Sequence, residues 1–272
     1  MKSLKWINTV AFAAMIIVNA LANLLPIGGN TTAQVSEAYP NLFTPAPITF
    51  AIWGVIYLMM ALFVVYQWEL LDRGRYSAKV RGDVGLWFAV SCALNIAWVF
   101  LWHYRRIGLS MIAIVLLLGT LMLLQRRLKG AGDSFLQRFA AKTGFSVYYG
   151  WIIAASLANL AVLLTKSGWN GWGLSAGFWT SVLLLGGAAV TGAVVLPGQN
   201  RVAGLAVMWA YAGILIRHIS PAYFAAAHPV VIWVAFVSEA VILIAILTPS
   251  MEPLFRNRRY TIEQEERAHE NA

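Results

Sequence analysis

The chain has 272 residues, of which 60% are hydrophobic and 11% charged, and it carries a net charge of +9 with a mean hydropathy of +0.69. Soluble domains carry about 25% charged residues, so this composition excludes a water-soluble globular protein and predicts an all-α integral membrane protein. The single Cys92 excludes an intrachain disulfide framework or a thiolate metal site.

A membrane-crossing helix needs about 20 mainly apolar residues. Eight segments meet that need, at roughly 4–27, 46–68, 84–102, 107–125, 144–165, 174–197, 202–216 and 229–247, the seventh being the shortest. The first has a basic start and an Ala20-Leu21-Ala22 stretch that resembles a signal-peptidase site. Its length, and Asn19 and Asn23 one turn apart on it, favour a retained span.

The connection 28–45 is the long one. It contains Gly28-Gly29-Asn30, Thr31-Thr32, Pro40 and Thr44-Pro45, with Glu37 as its one charge. Tyr39, Leu42 and Phe43 give it an apolar side, so it is expected to lie against the protein as an external lid.

Along the second, third and fifth spans, polar and aromatic residues recur at helical spacing. They are Trp53 and Tyr57, Asn95 and Trp98, and Trp151, Ala155 and Asn159. Residues three and four apart share a helix face, and amides in hydrocarbon are costly unless paired. Three such stripes at related depths predict one aromatic cavity beneath the lid.

The fifth span ends at Lys166-Ser-Gly-Trp169-Asn-Gly-Trp172-Gly, a Gly/Trp-rich interfacial turn. This is the expected boundary between a five-helix core (1–168) and a three-helix extension (169–250). Gly173-x-x-x-Gly177 at the start of the extension has the spacing of a close-packing motif. Residues 251–272 form a polar tail.

The basic excess follows the helices. With the amino terminus in the cytoplasm, sixteen of the twenty Lys and Arg fall inside, leaving Arg105, Arg106, Lys166 and Arg217 outside. This asymmetry is the positive-inside pattern. It predicts a multi-pass protein of a cell membrane, such as a bacterial inner or plasma membrane, with both termini cytoplasmic. The partner of the basic charge is then the bilayer and not nucleic acid.

The stripes also resemble a known family, the TspO/MBR tryptophan-rich sensory proteins. Its second-helix element Pro-Pro…Trp-x-x-x-Tyr is matched by Pro45, Trp53 and Tyr57, its third-helix Leu-Asn-x-x-Trp by Leu94-Asn95-Ile96-Ala97-Trp98, and its fifth-helix element by Tyr148, Trp151, Ala155 and Asn159. The motifs cover about residues 1–168. The resemblance implies a five-helix bundle, often a homodimer, that binds porphyrins and other hydrophobic molecules, with Trp53, Tyr57, Asn95, Trp98, Trp151, Ala155 and Asn159 as its ligand-binding residues. Thr44 and Val147 stand where the family has Pro, and Phe50 lies one residue nearer Trp53. No Tyr lies between Asn159 and Lys166, so the family's sterol-associated pattern is missing there; Leu101–Arg106 fits it elsewhere.

Trp6, Trp68, Trp87, Trp102, Trp169, Trp172 and Trp233 are expected in the interfacial belt. Asn19 and Asn23 are expected to pair with loop backbone or with Asn95. Glu239 lies mid-span, either as a functional carboxylate or as a protonated group bonded to Tyr211 or a carbonyl. No cluster of His, Asp or Glu suggests a metal, and no catalytic set suggests an enzyme. No cofactor is required, and porphyrin or heme is the ligand expected. Two functions follow: a receptor or sensor for a tetrapyrrole-like molecule, or a carrier or efflux protein for such ligands.

Overall fold

The computed structural model describes residues 2–25, 27–70, 84–128, 135, 138–198 and 200–248. All regular structure among the described residues is helical. In chain order the helices are α1 (Lys2–Leu24), α2 (Thr32–Glu37), α3 (Ile52–Gln67), α4 (Trp87–His103), α5 (Ile107–Arg127), α6 (Gly144–Lys166), α7 (Ala176–Gly198), α8 (Arg201–Ile219) and α9 (Pro229–Leu247). A 3-10 turn at Pro47–Ala51 leads into α3, and a π turn at Arg138–Thr143 leads into α6.

Seven of these segments are long and apolar enough to cross a membrane, and α4 is a shorter apolar helix of 17 residues. At 1.5 Å per residue α4 is about 25 Å long. The sequence made the seventh span the short one. In the structure that span runs 19 residues, because Asn200 caps it by accepting from the Ala203 amide and because its C-terminal Arg217 and His218 stay helical. The polar tail 251–272 and much of the basic charge in the second and fourth connections lie outside the described residues.

The helices run up and down. At one end, Lys5 of α1 pairs with Glu69 just after α3 at 3.2 Å, and Asn200 donates to Gln125 of α5 at 3.1 Å. At the other end, His103 of α4 meets Ile27, and Arg217 of α8 meets Glu37. Residues 2 and 248 therefore lie at the same end of the bundle. The first helix is built into it: Ala22 is buried, and Asn19 donates to Asn95 of α4 at 2.7 Å, one of the two partners expected for it. Asn23 instead turns back to the Asn19 carbonyl of its own helix.

Helix α6 is the centre. It packs on α3, α5 and α8, while α7 and α9 pair with each other and α9 also leans on α8. The α6–α8 contact is a backbone approach, since a Cβ at Gly150 would lie 2.2 Å from the Ala203 carbonyl oxygen. Gly213 of α8 makes room for a side chain of the turn before α3, its Cβ position lying 1.9 Å from Thr49 Oγ1. These glycines and Gly187, whose Cβ position lies 2.3 Å from the Tyr211 hydroxyl, make close approaches, and Gly173 and Gly177 do not. Gly173 has no neighbour within 4 Å of its Cβ position, and the nearest to that of Gly177 is at 3.8 Å.

The connection 28–45 was expected as a loop, yet it contains α2. Thr31 and Gln34 form a reciprocal capping box, with Gln34 N donating to Thr31 Oγ1 and Thr31 N to Gln34 Oε1. Val35 on this helix is fully buried, so the segment does lie against the bundle.

Candidate functional site

A cavity of about 30 Å³ lies under the lid. The lid contributes Thr32, Ser36, Phe43 and Pro45, α3 with its entry turn contributes Phe50 and Trp53, and α4 contributes Trp98 and Trp102. Helix α6 supplies Trp151, Ala154, Ala155, Ala158 and Asn159, and α8 supplies Ala210 and Ile214. A space of this size holds about one water.

The rings are ordered. Tyr57, Trp53, Trp98 and Trp102 form a run of near-parallel planes, with successive centroids 5.6, 6.1 and 5.6 Å apart and interplanar angles of 23°, 30° and 23°. Trp151 meets Trp53 edge-on at 6.1 Å, and Phe50 meets Trp151 likewise at 6.0 Å. Such offset and edge-to-face pairs suit aromatic quadrupoles.

Five of the seven residues that the sequence singled out line the cavity: Trp53, Trp98, Trp151, Ala155 and Asn159. The structure places Tyr57 and Asn95 behind them. Tyr57 stacks on the far side of Trp53. Asn95 is fully buried, accepts from Asn19 and donates to Tyr148 Oη at 3.0 Å. Its amide thus ties α1, α4 and α6 together, and Tyr148 in turn meets the edge of Trp53 at 6.0 Å.

Asn159 is held differently. Its Oδ1 accepts from Trp98 Nε1 at 3.0 Å and from Ser110 Oγ at 3.2 Å. Two donors on one oxygen fix the amide's orientation, which leaves Nδ2 on the other side, buried and without a hydrogen-bond partner. Trp151 Nε1 is likewise buried and unpartnered. A buried donor left unmade costs about 1–3 kcal/mol, and both of these belong to residues that line the cavity. None of the described residues lining the cavity is charged.

Trp102 corrects the sequence expectation. It is not an interfacial belt residue; it is 4% exposed, lines the cavity and donates from Nε1 to the Thr32 carbonyl at 3.1 Å. Its position four residues after Trp98 was the signal. Beside it, His103 Nδ1 lies 3.1 Å from the Ile27 carbonyl and Nε2 lies 3.1 Å from Thr32 Oγ1. A carbonyl only accepts, so Nδ1 carries the proton and Nε2 accepts from the threonine hydroxyl.

The extension closes the remaining side. Ala46 N donates to the Gly213 carbonyl at 2.9 Å, Trp209 Nε1 to the Thr49 carbonyl at 2.8 Å, and His218 Nε2 to the Leu42 carbonyl at 2.9 Å. Arg217 Nη1 reaches Glu37 Oε1 at 3.5 Å and the Pro45 carbonyl at 3.4 Å. Helix α8 is therefore both a wall of the cavity and a clasp on the lid. Small and aliphatic residues such as Ala210 and Ile214 carry no sequence signal for this role.

Glu239 stands apart. It is half-buried on α9, lines no part of the cavity, and has no hydrogen bond or ion pair among the described residues. Tyr211 is not its partner, because the Tyr211 hydroxyl donates to the Leu184 carbonyl at 2.7 Å. Among the described residues no group of three or more His, Cys, Asp or Glu could hold a metal ion.

A family model described as TSPO-like protein matches residues 5–248. The match runs well past the motif-bearing region and takes in α7, α8 and α9. No curated protein and no solved structure matches the chain.

Proposed function

The chain belongs to the TSPO-like protein family, and from that premise we propose that it is a membrane receptor or sensor for a flat, hydrophobic, tetrapyrrole-like ligand bound in the aromatic cavity. The family suggests a sensor or receptor role for a multi-pass membrane protein. The observation that carries the finer reading is the pair of unpartnered donors, Trp151 Nε1 and Asn159 Nδ2, set in a wall of stacked tryptophans. Ring faces offer area to a planar molecule, and the two N–H groups would meet acceptor oxygens at its edge. With no charged side chain in the lining, the edge group that enters is neutral.

The lining also bears on porphyrin against heme. Haem iron takes His, Cys, Met or Tyr as its axial ligand, and none of these is among the described residues lining the cavity. A metal-free tetrapyrrole fits the donor set better than heme. Small-molecule pockets run to about 300–1,000 Å³, so the ligand enters only when the lid lifts and the rings part. Binding is thereby coupled to a change of shape, which is what a sensor needs. The lining carries no nucleophile–base pair, so the reading is binding and not catalysis. Glu239 lines neither the cavity nor its lid, and the carrier alternative has no supporting contact.

The test is a titration of the purified protein with protoporphyrin IX dimethyl ester, whose ester carbonyls are neutral acceptors, read by tryptophan quenching. Trp151→Phe keeps an aromatic face and removes one donor, worth about 0.5–1.5 kcal/mol, so affinity should fall severalfold. Trp53→Ala, which removes a ring from the stack, should weaken it further. Equal affinity in both variants and the wild type would overturn the assignment.

A further inference from the structure

A second space opens beside the lid. It measures about 280 Å³ against about 30 Å³ for the inner cavity. Its walls are lid residues 40–42, the end of α6 from Ala161 to Thr165, the turn at Trp169 and Asn170, and α7 at Ala176 and Trp179. The two spaces follow one another along α6, with Ala158 and Asn159 on the inner one and Ala161 one turn further on the outer. They also share the lid as a partition. Asn41 and Leu42 line the outer cleft, while Phe43 and Pro45 line the inner cavity.

We propose that this cleft is a ligand site in its own right, the station at which a neutral, flat, hydrophobic molecule is held before it passes under the lid. The proposal rests on the reading of the inner cavity as the destination. Three observations support it. None of the described residues lining the cleft is charged, so the molecule it suits carries no buried charge there. Trp169 and Trp179 offer rigid ring surface: they pack edge-on at 4.7 Å with Trp172 braced against both, and Trp179 Nε1 is tied to the Gly171 carbonyl at 2.8 Å. Asn170 is an exposed polar member of the lining, its Oδ1 accepting from the Trp172 amide at 3.0 Å.

The partition is held by a small set of bonds. Asn41 Oδ1 accepts from the amides of Phe43 and Thr44, and its Nδ2 donates to Thr44 Oγ1 and the Tyr39 carbonyl. On the far side His218 holds the Leu42 carbonyl. A molecule pressed against Asn41 and Leu42 acts on the bonds that hold the lid over the inner cavity. The cleft is thus placed to couple capture with opening.

The experiment uses the full-length protein and the neutral probe protoporphyrin IX dimethyl ester in stopped flow. Ala176 is exposed at the start of α7 and Thr165 is exposed at the end of α6, so Ala176→Trp or Thr165→Trp fills the cleft with little risk to folding. Each should lower the association rate by about tenfold and the dissociation rate equally, leaving Kd unchanged. An unchanged association rate, or lost affinity at a normal rate, would overturn the entrance station. In a second arm Ala155→Trp fills the inner cavity. One weaker, rapidly exchanging site should remain and should disappear in Ala155→Trp/Ala176→Trp. Abolition of all binding by Ala155→Trp alone would refute the cleft as a site. Undiminished tight binding in Ala155→Trp would instead sink the inner-cavity reading and leave the cleft as the site.

Discussion

Asn159 allows a quantitative test of how the cavity is built. Its Oδ1 is the acceptor for Trp98 Nε1 at 3.0 Å and for Ser110 Oγ at 3.2 Å. Replacing Asn159 by Ala leaves the indole N–H of Trp98 buried without a partner, at about 1–3 kcal/mol. Ser110 loses less, because its hydroxyl also donates to the Ile107 carbonyl at 2.9 Å. Interhelical bonds in membrane proteins average only about 0.6 kcal/mol, with a maximum near 1.7, and Asn159→Ala also removes the unpartnered Nδ2, which places the expected net loss at about 1 kcal/mol. A double-mutant cycle isolates the bond, because Trp98→Phe keeps a ring in the stack and removes only the donor and the benzo edge. With N–H and acceptor both gone no buried donor is orphaned. The double variant should therefore be less destabilised than the sum of the singles, with a coupling of about 1 kcal/mol. Equilibrium unfolding in mixed micelles, followed by tryptophan emission, measures all four corners. Ser110→Ala should cost less than Asn159→Ala. Strict additivity of the Trp98 and Asn159 changes would refute the reasoning, and with it the claim that the amide's Nδ2 is directed away from its helix neighbours.

Two further outcomes are expected. Glu239 is half-buried mid-span without a described partner, so Glu239→Gln should leave the unfolding transition unchanged or raise it slightly, since the amide avoids the cost of a charge in hydrocarbon; a fall of more than about 1 kcal/mol would show that the carboxyl holds a necessary contact. For orientation, the only native thiol is buried, so single cysteines report cleanly: Ala227→Cys at the lid end should react with an impermeant maleimide from outside intact cells and Arg126→Cys at the opposite end only after lysis, and the reverse pattern would invert the topology drawn from the basic residues.

Much of the architecture was readable because lipid imposes a simple rule on composition. The spans followed from apolar length, and Asn19 facing Asn95 followed from the cost of a lone amide. The lid helix was equally legible in principle, since Thr31 and Gln34 have capping-box spacing, but Gly28, Gly29 and Pro40 on either side made the whole segment look irregular. Trp102 was misplaced because interfacial tryptophan is the commoner reading of an indole at a span end. Its contact with the Thr32 carbonyl depends on where the lid lands, a long-range fact. The glycines make the same point. Gly173 and Gly177 have motif spacing and touch little, whereas Gly150 and Gly213, with no motif around them, take backbone and side-chain atoms at contact distance. Spacing tells which glycines share a face, not what that face meets. Helix α8 was the largest omission, because a wall made of Ala210 and Ile214 looks like any lipid-facing stretch.

The placement of α8 has a consequence for the path by which a ligand arrives. Were the chain to end at the Gly/Trp-rich turn, the ground now held by Ala210 and Ile214 would be covered by acyl chains, and the cavity would communicate sideways with the hydrocarbon. A molecule dissolved in the bilayer could then slip in between α3 and α6 without meeting the lid. With α8 seated on Gly150 and bonded to Ala46 and Thr49, that side is covered by protein, while residues 40–42 line the cleft proposed as the entrance. On the proposed function, the extension would in this way make even a membrane-dissolved ligand leave the hydrocarbon and come in at the lid end of the bundle.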